Sequence, residues 1–290
     1  IVIMGPTASG KSDLAIALAQ KYNGEIISAD SRQVYRGMDI GTGKVTKAEQ
    51  KLARHWLLDV ASPKRNYNVT HFVRDAKRAI ADIKKRGKTP IVCGGTGFWI
   101  QALLENNTFP AVKPDPALRQ KLGKLSVEKL FAQLEEKDPV RAQSIDPRNK
   151  IRLIRALEIC ATLGTVPVSH QTSLITHQDF LVIVLNPSQE VLYKNIAVRL
   201  EKRIEQGMVA EVERLRIDGI SWKRLESFGL EYKYIALLLQ EKITLEEMKE
   251  RLEFEIRHYA KRQLTWLRRF EKTIPLHWIT LPEEAEKLIT

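Results

Sequence analysis

Cysteine is scarce in this chain: Cys93 and Cys160 are the two it has in 290 residues. A disulfide scaffold is therefore excluded, and the pattern fits a reducing cytoplasm. The six histidines show no metal-ligand spacing with either cysteine, which argues against a zinc site. No apolar run approaches a membrane span and no signal-peptide pattern is visible, so a soluble cytoplasmic protein that does not engage a membrane is expected. No internal repeat or low-complexity tract stands out. Acidic residues are too few to balance the basic ones, 35 against 47, and the net charge is +12. Such an imbalance points to a polyanionic partner, of which nucleic acid is the usual one; a solvated lysine-rich surface is the alternative.

What is present is more specific. Residues 5–12 read Gly-Pro-Thr-Ala-Ser-Gly-Lys-Ser, a G-x-x-x-x-G-K-S phosphate loop. The apolar run 1–4 before it reads as a buried strand, and the apolar-periodic run 14–19 after it reads as a helix. Strand, loop and helix in that order are the context the motif requires. Its glycines let backbone amides turn inward around phosphate oxygens, and the helix N-terminus adds its positive end. Gly5, Thr7, Ala8, Ser9, Gly10, Lys11 and Ser12 are thus candidate ligands of a di- or triphosphate, with Lys11 on the distal phosphate and the Ser12 hydroxyl on Mg²⁺.

The first hundred residues go on alternating strand and helix signals: strands at 25–30, 55–60 and 90–93, and helices at 72–84 and 98–104. This βα alternation predicts a parallel sheet flanked by helices, an α/β fold with a P-loop NTPase-like core. Ligands of such sheets bind beyond the carboxyl ends of the strands. The phosphate loop, Asp30, the Gly-Thr-Gly-Lys turn at 41–44 and the Gly-Gly-Thr-Gly turn at 94–97 all fall there, and should converge.

The texture changes near Phe109. Pro110, Pro114 and Pro116 punctuate the chain, a charged helical stretch follows, and 166–178 is a second proline-containing polar segment. An apolar strand returns at 180–185. Residues 113–174 therefore read as an all-helical insertion in a core formed by 1–112 and 175–290. Beyond 189 the chain is mostly helical. Arg257, Lys261, Arg262, Arg268 and Arg269 fall at helical spacing with Tyr259 and Trp266 interleaved, a basic stripe or a solvated face.

An ordinary phosphate-loop NTPase needs a second magnesium acid at a strand end. The 90–93 strand ends in Cys-Gly-Gly instead, and Asp59 follows a weak strand. Asp30 is better placed and opens the string Asp-Ser-Arg-Gln-Val-Tyr at 30–35. The loop can then hold a diphosphate leaving group without any γ-phosphoryl transfer.

These motifs, in this order and spacing, resemble the tRNA dimethylallyltransferases. The resemblance continues through Asp115-Pro116-x-x-Arg119, Asp138-Pro139, Arg152-x-x-Arg155-Ala156-Leu157-Glu158, the 207–212 run Gly-Met-Val-Ala-Glu-Val and the 259–266 run Tyr-Ala-Lys-Arg-Gln-Leu-Thr-Trp. It covers essentially the whole chain. Each short motif is modest evidence; the ordered set is specific. There are departures. Asn195 stands where the family's helix usually has its first arginine, while Arg199 keeps the second. Val45 stands where proline is common, and Gly229-Leu230-Glu231-Tyr232 replaces a simpler Gly-Tyr.

The resemblance implies transfer of a dimethylallyl group from its diphosphate to N6 of the adenosine 3′ to the anticodon in tRNA. Asp30 would take the N6 proton, a form of help worth ~10²–10⁴ in rate. Lys11, the loop amides, Mg²⁺ and Arg199 would stabilise the diphosphate, and Thr96 would hydrogen-bond its bridging region. Ser31, Arg32 and Gln33 would contact the extruded base or its neighbours. The insertion would grip the anticodon stem-loop with Arg119, Arg152 and Arg155, and the enzyme is expected to be a monomer. Without the resemblance, the alternative for Asp30 is a helix N-cap or turn residue, Thr96 and Arg199 are more often a helix cap and a surface charge, and Arg152 and Arg155 are as readily helix-surface charge. Other readings are transfer to a free adenine nucleotide, an ATP-dependent small-molecule kinase, and a non-catalytic RNA-binding sensor.

Overall fold

The computed structural model describes residues 1–106, 109–167 and 180–289. The chain divides into two compact units, Asn106–Thr172 and the remainder. Much of the second polar segment expected at 166–178 lies outside the described residues.

The larger unit is built on a parallel six-stranded sheet of order β3-β2-β4-β1-β5-β6. Its elements begin β1 (Val2–Met4), α1 (Lys11–Lys21), β2 (Gly24–Ser28), α2 (Lys47–Leu52), β3 (His55–Trp56), α3 (Val69–Lys85), β4 (Thr89–Cys93) and α4 (Gly97–Leu104). The central strands are continuous apolar runs because helices cover the sheet: Val2, Ile3 and Met4 are all buried, with the face of α1 carrying Leu14 and Leu18 packed among Ile26, Ile91 and Ile183. α3 shows how local rules set an element. Asn68 accepts the amide of His71 while the His71 ring closes the capping box, and Phe72, Ala76, Ala79 and Ile83 form its buried stripe. Gly87 in the left-handed region ends it.

β3 is shorter than the strand expected at 55–60. Leu57 and Asp59 both take positive φ, 64° and 57°, and turn the backbone out of the ladder. Asp59 then meets Lys44 at 2.5 Å, so it is committed to a structural ion pair.

The smaller unit holds α5 (Pro116–Gly123), α6 (Val127–Lys137), α7 (Pro139–Ser144) and α8 (Lys150–Leu163). Aspartates cap α5 and α7, each followed by a proline at the first helical position. Leu122, Leu130, Leu134, Leu153 and Leu157 form a core of its own.

The chain returns to the sheet as β5 (Val182–Leu185), entirely buried beside β1. α9 (Gln189–Glu205), α10 (Met208–Ile217), α11 (Trp222–Glu226), α12 (Leu230–Leu239) and the long α13 (Leu245–Phe270) follow. β6 (His277–Ile279) adds an edge strand parallel to β5, which the sequence did not suggest. No helix among the described residues is long and apolar enough to cross a membrane.

Candidate active site

The carboxyl ends of β1, β2 and β4 open into one cavity of about 220 Å³ in the larger unit. Thr7, Lys11 and Ser12 line it from the phosphate loop, Asp30 to Gln33 from the end of β2, Gly41 to Gly43 from the next turn, and Gly94 and Thr96 from the end of β4. The four segments expected to converge do so. α9 adds Arg199 and Arg203, the 228–232 segment adds Glu231 and Tyr232, and α13 adds Tyr259.

The loop is preformed. Ala8 sits in the left-handed region, φ 64°, a conformation a non-glycine residue holds only where its surroundings impose it. Alternating αR and αL residues turn successive amides to one side and make an anion nest. α1 starts without a side-chain cap, so its first amides stay available to a ligand. The buried Ser9 hydroxyl also has no hydrogen-bond partner. Asn195 braces the loop from α9 by donating to the Ala8 carbonyl at 3.2 Å.

Positive charge is concentrated at the loop. Lys11 Nζ donates to the Pro6 carbonyl at 3.1 Å. Burial above all holds its ammonium below the usual lysine range; Arg199 and Arg203 push the same way, and Asp30 opposes them. Arg199 donates to the Thr7 hydroxyl at 2.5 Å. Burial, helped by Arg203, brings its guanidinium down to about 9. An anion between these groups would reverse both shifts.

Asp30 Oδ1 accepts the amides of Arg32 at 2.8 Å and Gln33 at 3.4 Å, so the aspartate also forms the turn that carries it. Thr96 stands at the start of α4 but its side chain does not cap the helix; its Oγ1 accepts the Ser31 amide at 3.0 Å. Its own proton is left to point elsewhere. Gln33 is committed within the protein, accepting from Ser28 Oγ at 2.9 Å and donating to the Gly43 carbonyl at 3.1 Å. Ser31 and Arg32 line the cavity, half-buried.

Two residues that frame the site had no role in the sequence reading. Glu211, on α10 and buried, accepts the amides of Asp39, Ile40 and Gly41 and the Tyr232 hydroxyl, all within 3.0 Å. One carboxylate thus fixes the approach to the 41–43 turn. Gln263, on α13, accepts the Thr7 amide at 2.8 Å and donates to the Gly95 carbonyl at 3.0 Å. The 257–269 run read as a charged stripe, and nothing in its composition marks Gln263 as the residue that turns inward. Trp266 also turns inward, and a Cβ on Gly97 would lie 2.4 Å from its ring. Among the basic residues of this run, Arg257 pairs with Glu253 and lies over Tyr193, and Arg262 approaches Glu255 at 3.9 Å. Lys261, Arg268 and Arg269 are exposed.

In the smaller unit the expected arginines are not alike. Arg119 forks onto Glu158 at 2.8 and 2.7 Å, and Arg155 reaches the same carboxylate and the Val112 carbonyl. Both help to neutralise a buried acid, so their positions are explained without a ligand. Arg152 is exposed, its side chain clear of that cluster.

The sequence profile of the family described as IPP transferase matches residues 33–270. The chain is 40% identical over 293 residues to a tRNA dimethylallyltransferase 2 of Geotalea uraniireducens, across 98% of this chain and 92% of that one. It is 40% identical to a tRNA dimethylallyltransferase of Leuconostoc citreum, across 99% and 96%. The crystal structure of a tRNA isopentenylpyrophosphate transferase from Bacillus halodurans superposes with a TM-score of 0.70 at 35% identity, covering 96% of this chain and 88% of that one. A eukaryotic dimethylallyltransferase solved acting on tRNA gives 0.77 at 27% identity, covering 96% and 73%.

Proposed function

This chain belongs to the IPP transferase family, and from that premise we propose that it transfers a dimethylallyl group from dimethylallyl diphosphate to N6 of the adenosine 3′ to the anticodon of a tRNA. The observation that carries this reading is the one cavity lined by a phosphate loop, by the basic residues Lys11, Arg32, Arg199 and Arg203, and by Asp30. It offers a seat for a diphosphate and, beside it, an acceptor for a proton.

The balance of the step fits these groups. N6 forms a bond to the allylic carbon, the carbon–oxygen bond to diphosphate breaks, and the N6 proton passes to Asp30. Adenine N6 is a weak nucleophile because its lone pair is delocalised, so proton removal during attack counts. Charge growing on the departing diphosphate meets the loop amides, Lys11 and Arg199. Thr96, whose oxygen already accepts the Ser31 amide, has its proton to give to the bridging oxygen. The Ser12 hydroxyl lines the cavity beside Lys11. With the diphosphate oxygens it makes an all-oxygen donor set of the kind Mg²⁺ takes, and the ion would add charge stabilisation for the leaving group.

The smaller unit is the proposed grip on the anticodon stem-loop, with Arg152 its cleanest phosphate contact and Arg119 and Arg155 shaping the surface around it. Ser31 and Arg32 would meet the extruded base. The excess of positive charge serves this polyanion.

The test is incubation with labelled dimethylallyl diphosphate and Mg²⁺ in the presence of tRNA, AMP or ATP, followed by nucleoside analysis. Label on N6 of tRNA adenosine is expected. Label on the free nucleotide, or hydrolysis of ATP without transfer, would overturn the reading.

A further inference from the structure

We infer that Arg203 is a further diphosphate-contacting residue, placed one helical turn beyond Arg199 where this chain lacks an arginine at position 195. This deepens the proposed function and rests on it.

Asn195, Arg199 and Arg203 follow one another at intervals of four on α9, and so share a face. Asn195 carries no charge and spends its amide on the Ala8 carbonyl. Arg203 lines the same cavity as Lys11, Ser12 and Arg199, with its side chain only 11% exposed. Enclosing a guanidinium is costly unless its charge and donors are met. The acid facing it is Glu231, at 3.5 Å, which is longer than the paired bonds of a closed arginine–carboxylate fork. Donors therefore remain for a ligand.

The surroundings are shaped around this side chain. A Cβ on Gly43 would fall 1.5 Å from the Arg203 guanidinium, and Gly43 has φ 61°. The turn needs glycine both for its backbone and to admit the arginine. Glu231 belongs to the 229–232 segment. One of the departures from the family pattern, 229–232, thus supplies the acid that Arg203 faces, while another, Asn195, lies earlier on the same face of α9.

The charges of the cavity point the same way. Lys11, Arg32, Arg199 and Arg203 line it with Asp30 and Glu231, and the field of Arg203 bears on Lys11 and Arg199. The cavity has more positive than negative charge until an anion enters. The planar guanidinium suits adjacent phosphate oxygens, which accept two donors at once.

Titration calorimetry of the full chain with inorganic diphosphate and Mg²⁺ tests this. Arg203→Met should weaken inorganic diphosphate by roughly tenfold or more, the scale of a charge-assisted contact. It should raise the KM for dimethylallyl diphosphate while leaving tRNA affinity within about twofold. Arg203→Lys should recover part of the loss, and Asn195→Arg should recover part of it in the Arg203→Met background. If Arg203→Met does not fold, Arg203→Gln carries the same expectation. A folded variant with unchanged diphosphate affinity would make the arginine a structural partner of Glu231, and a loss confined to tRNA would make it an RNA contact; either overturns the inference. Failure of the unmodified protein to bind inorganic diphosphate or prenylate tRNA would instead overturn the functional reading beneath it.

Discussion

Gln263 accepts the Thr7 amide at 2.8 Å across 256 residues of chain. Its other end holds the Gly95 carbonyl, so one side-chain amide ties two of the strand-end loops together. Gln263→Ala leaves a half-buried amide and carbonyl unmet, a loss on the order of 1–2 kcal/mol. We expect the melting temperature to fall by a few degrees and inorganic diphosphate to bind about five- to tenfold more weakly by calorimetry. Unchanged affinity would mean that the loop holds its shape unaided.

Asp30→Asn separates the two jobs of that residue. The amide oxygen still accepts the Arg32 amide, so the turn should survive. Binding of dimethylallyl diphosphate and tRNA should stay within a few-fold, and single-turnover rates should fall by roughly 10² or more. Near-normal rates would remove Asp30 from proton transfer.

Gly97→Ala places a methyl against the Trp266 ring. The start of α4 and that ring must move apart, which costs roughly 1–3 kcal/mol. A lower unfolding midpoint and a shifted indole emission are expected; a neutral result would show that the two elements can separate freely.

Glu158 ties stability to pH. Burial pushes its carboxyl up, but Arg119, the Asp115 amide and Arg155 outweigh this and hold it down at about 2. Its folded value lies below its unfolded one, so its contribution is complete above about pH 4.5 and is lost as pH falls towards 2. Glu158→Gln should lower the melting temperature at pH 7 and flatten the acid limb of the stability profile. Arg119→Ala should also destabilise at pH 7. Arg152→Ala should leave melting unchanged and make the salt dependence of tRNA binding shallower by about one unit of slope. Melting curves and salt titrations distinguish the two kinds of arginine.

Cys93 lines the cavity yet should be inert. Burial pushes its thiol up to about 12, with Lys11 only partly opposing. The thiolate is the nucleophile, so iodoacetamide at pH 7–8 should leave Cys93 unmodified in the native protein and label it after denaturation. Native labelling, read by peptide mass spectrometry, would place the thiol in a more polar setting.

The sequence was most legible where chemistry and periodicity coincide. The phosphate loop between an apolar run and a helix, the 25–30 strand ending in Asp30 and the amphipathic 72–84 run became β1, α1, β2 and α3 with shifts of a few residues. β6 escaped notice because three residues on a half-exposed edge leave no alternation to detect. Arg119 looked like free charge because its acid, Glu158, lies on another helix; Arg155 is three residues from Glu158 on α8, but the burial that makes the pair structural comes from packing that spacing does not encode. Glu211 and Gln263 stand within runs that carry the resemblance, but what they hold was hidden for a related reason. Each meets backbone amides far away in the chain, and a backbone amide has no sequence signature.

That distance between partners governs when the site can exist. During synthesis the phosphate loop and the turn at 41–43 emerge first, while Glu211 follows Gly41 by 170 residues and Gln263 follows Thr7 by 256. A nascent chain carrying only the first hundred residues has the motif without the helices that fix it. Products that end before α13 therefore lack the side chains of Gln263 and Tyr259 that complete the pocket wall.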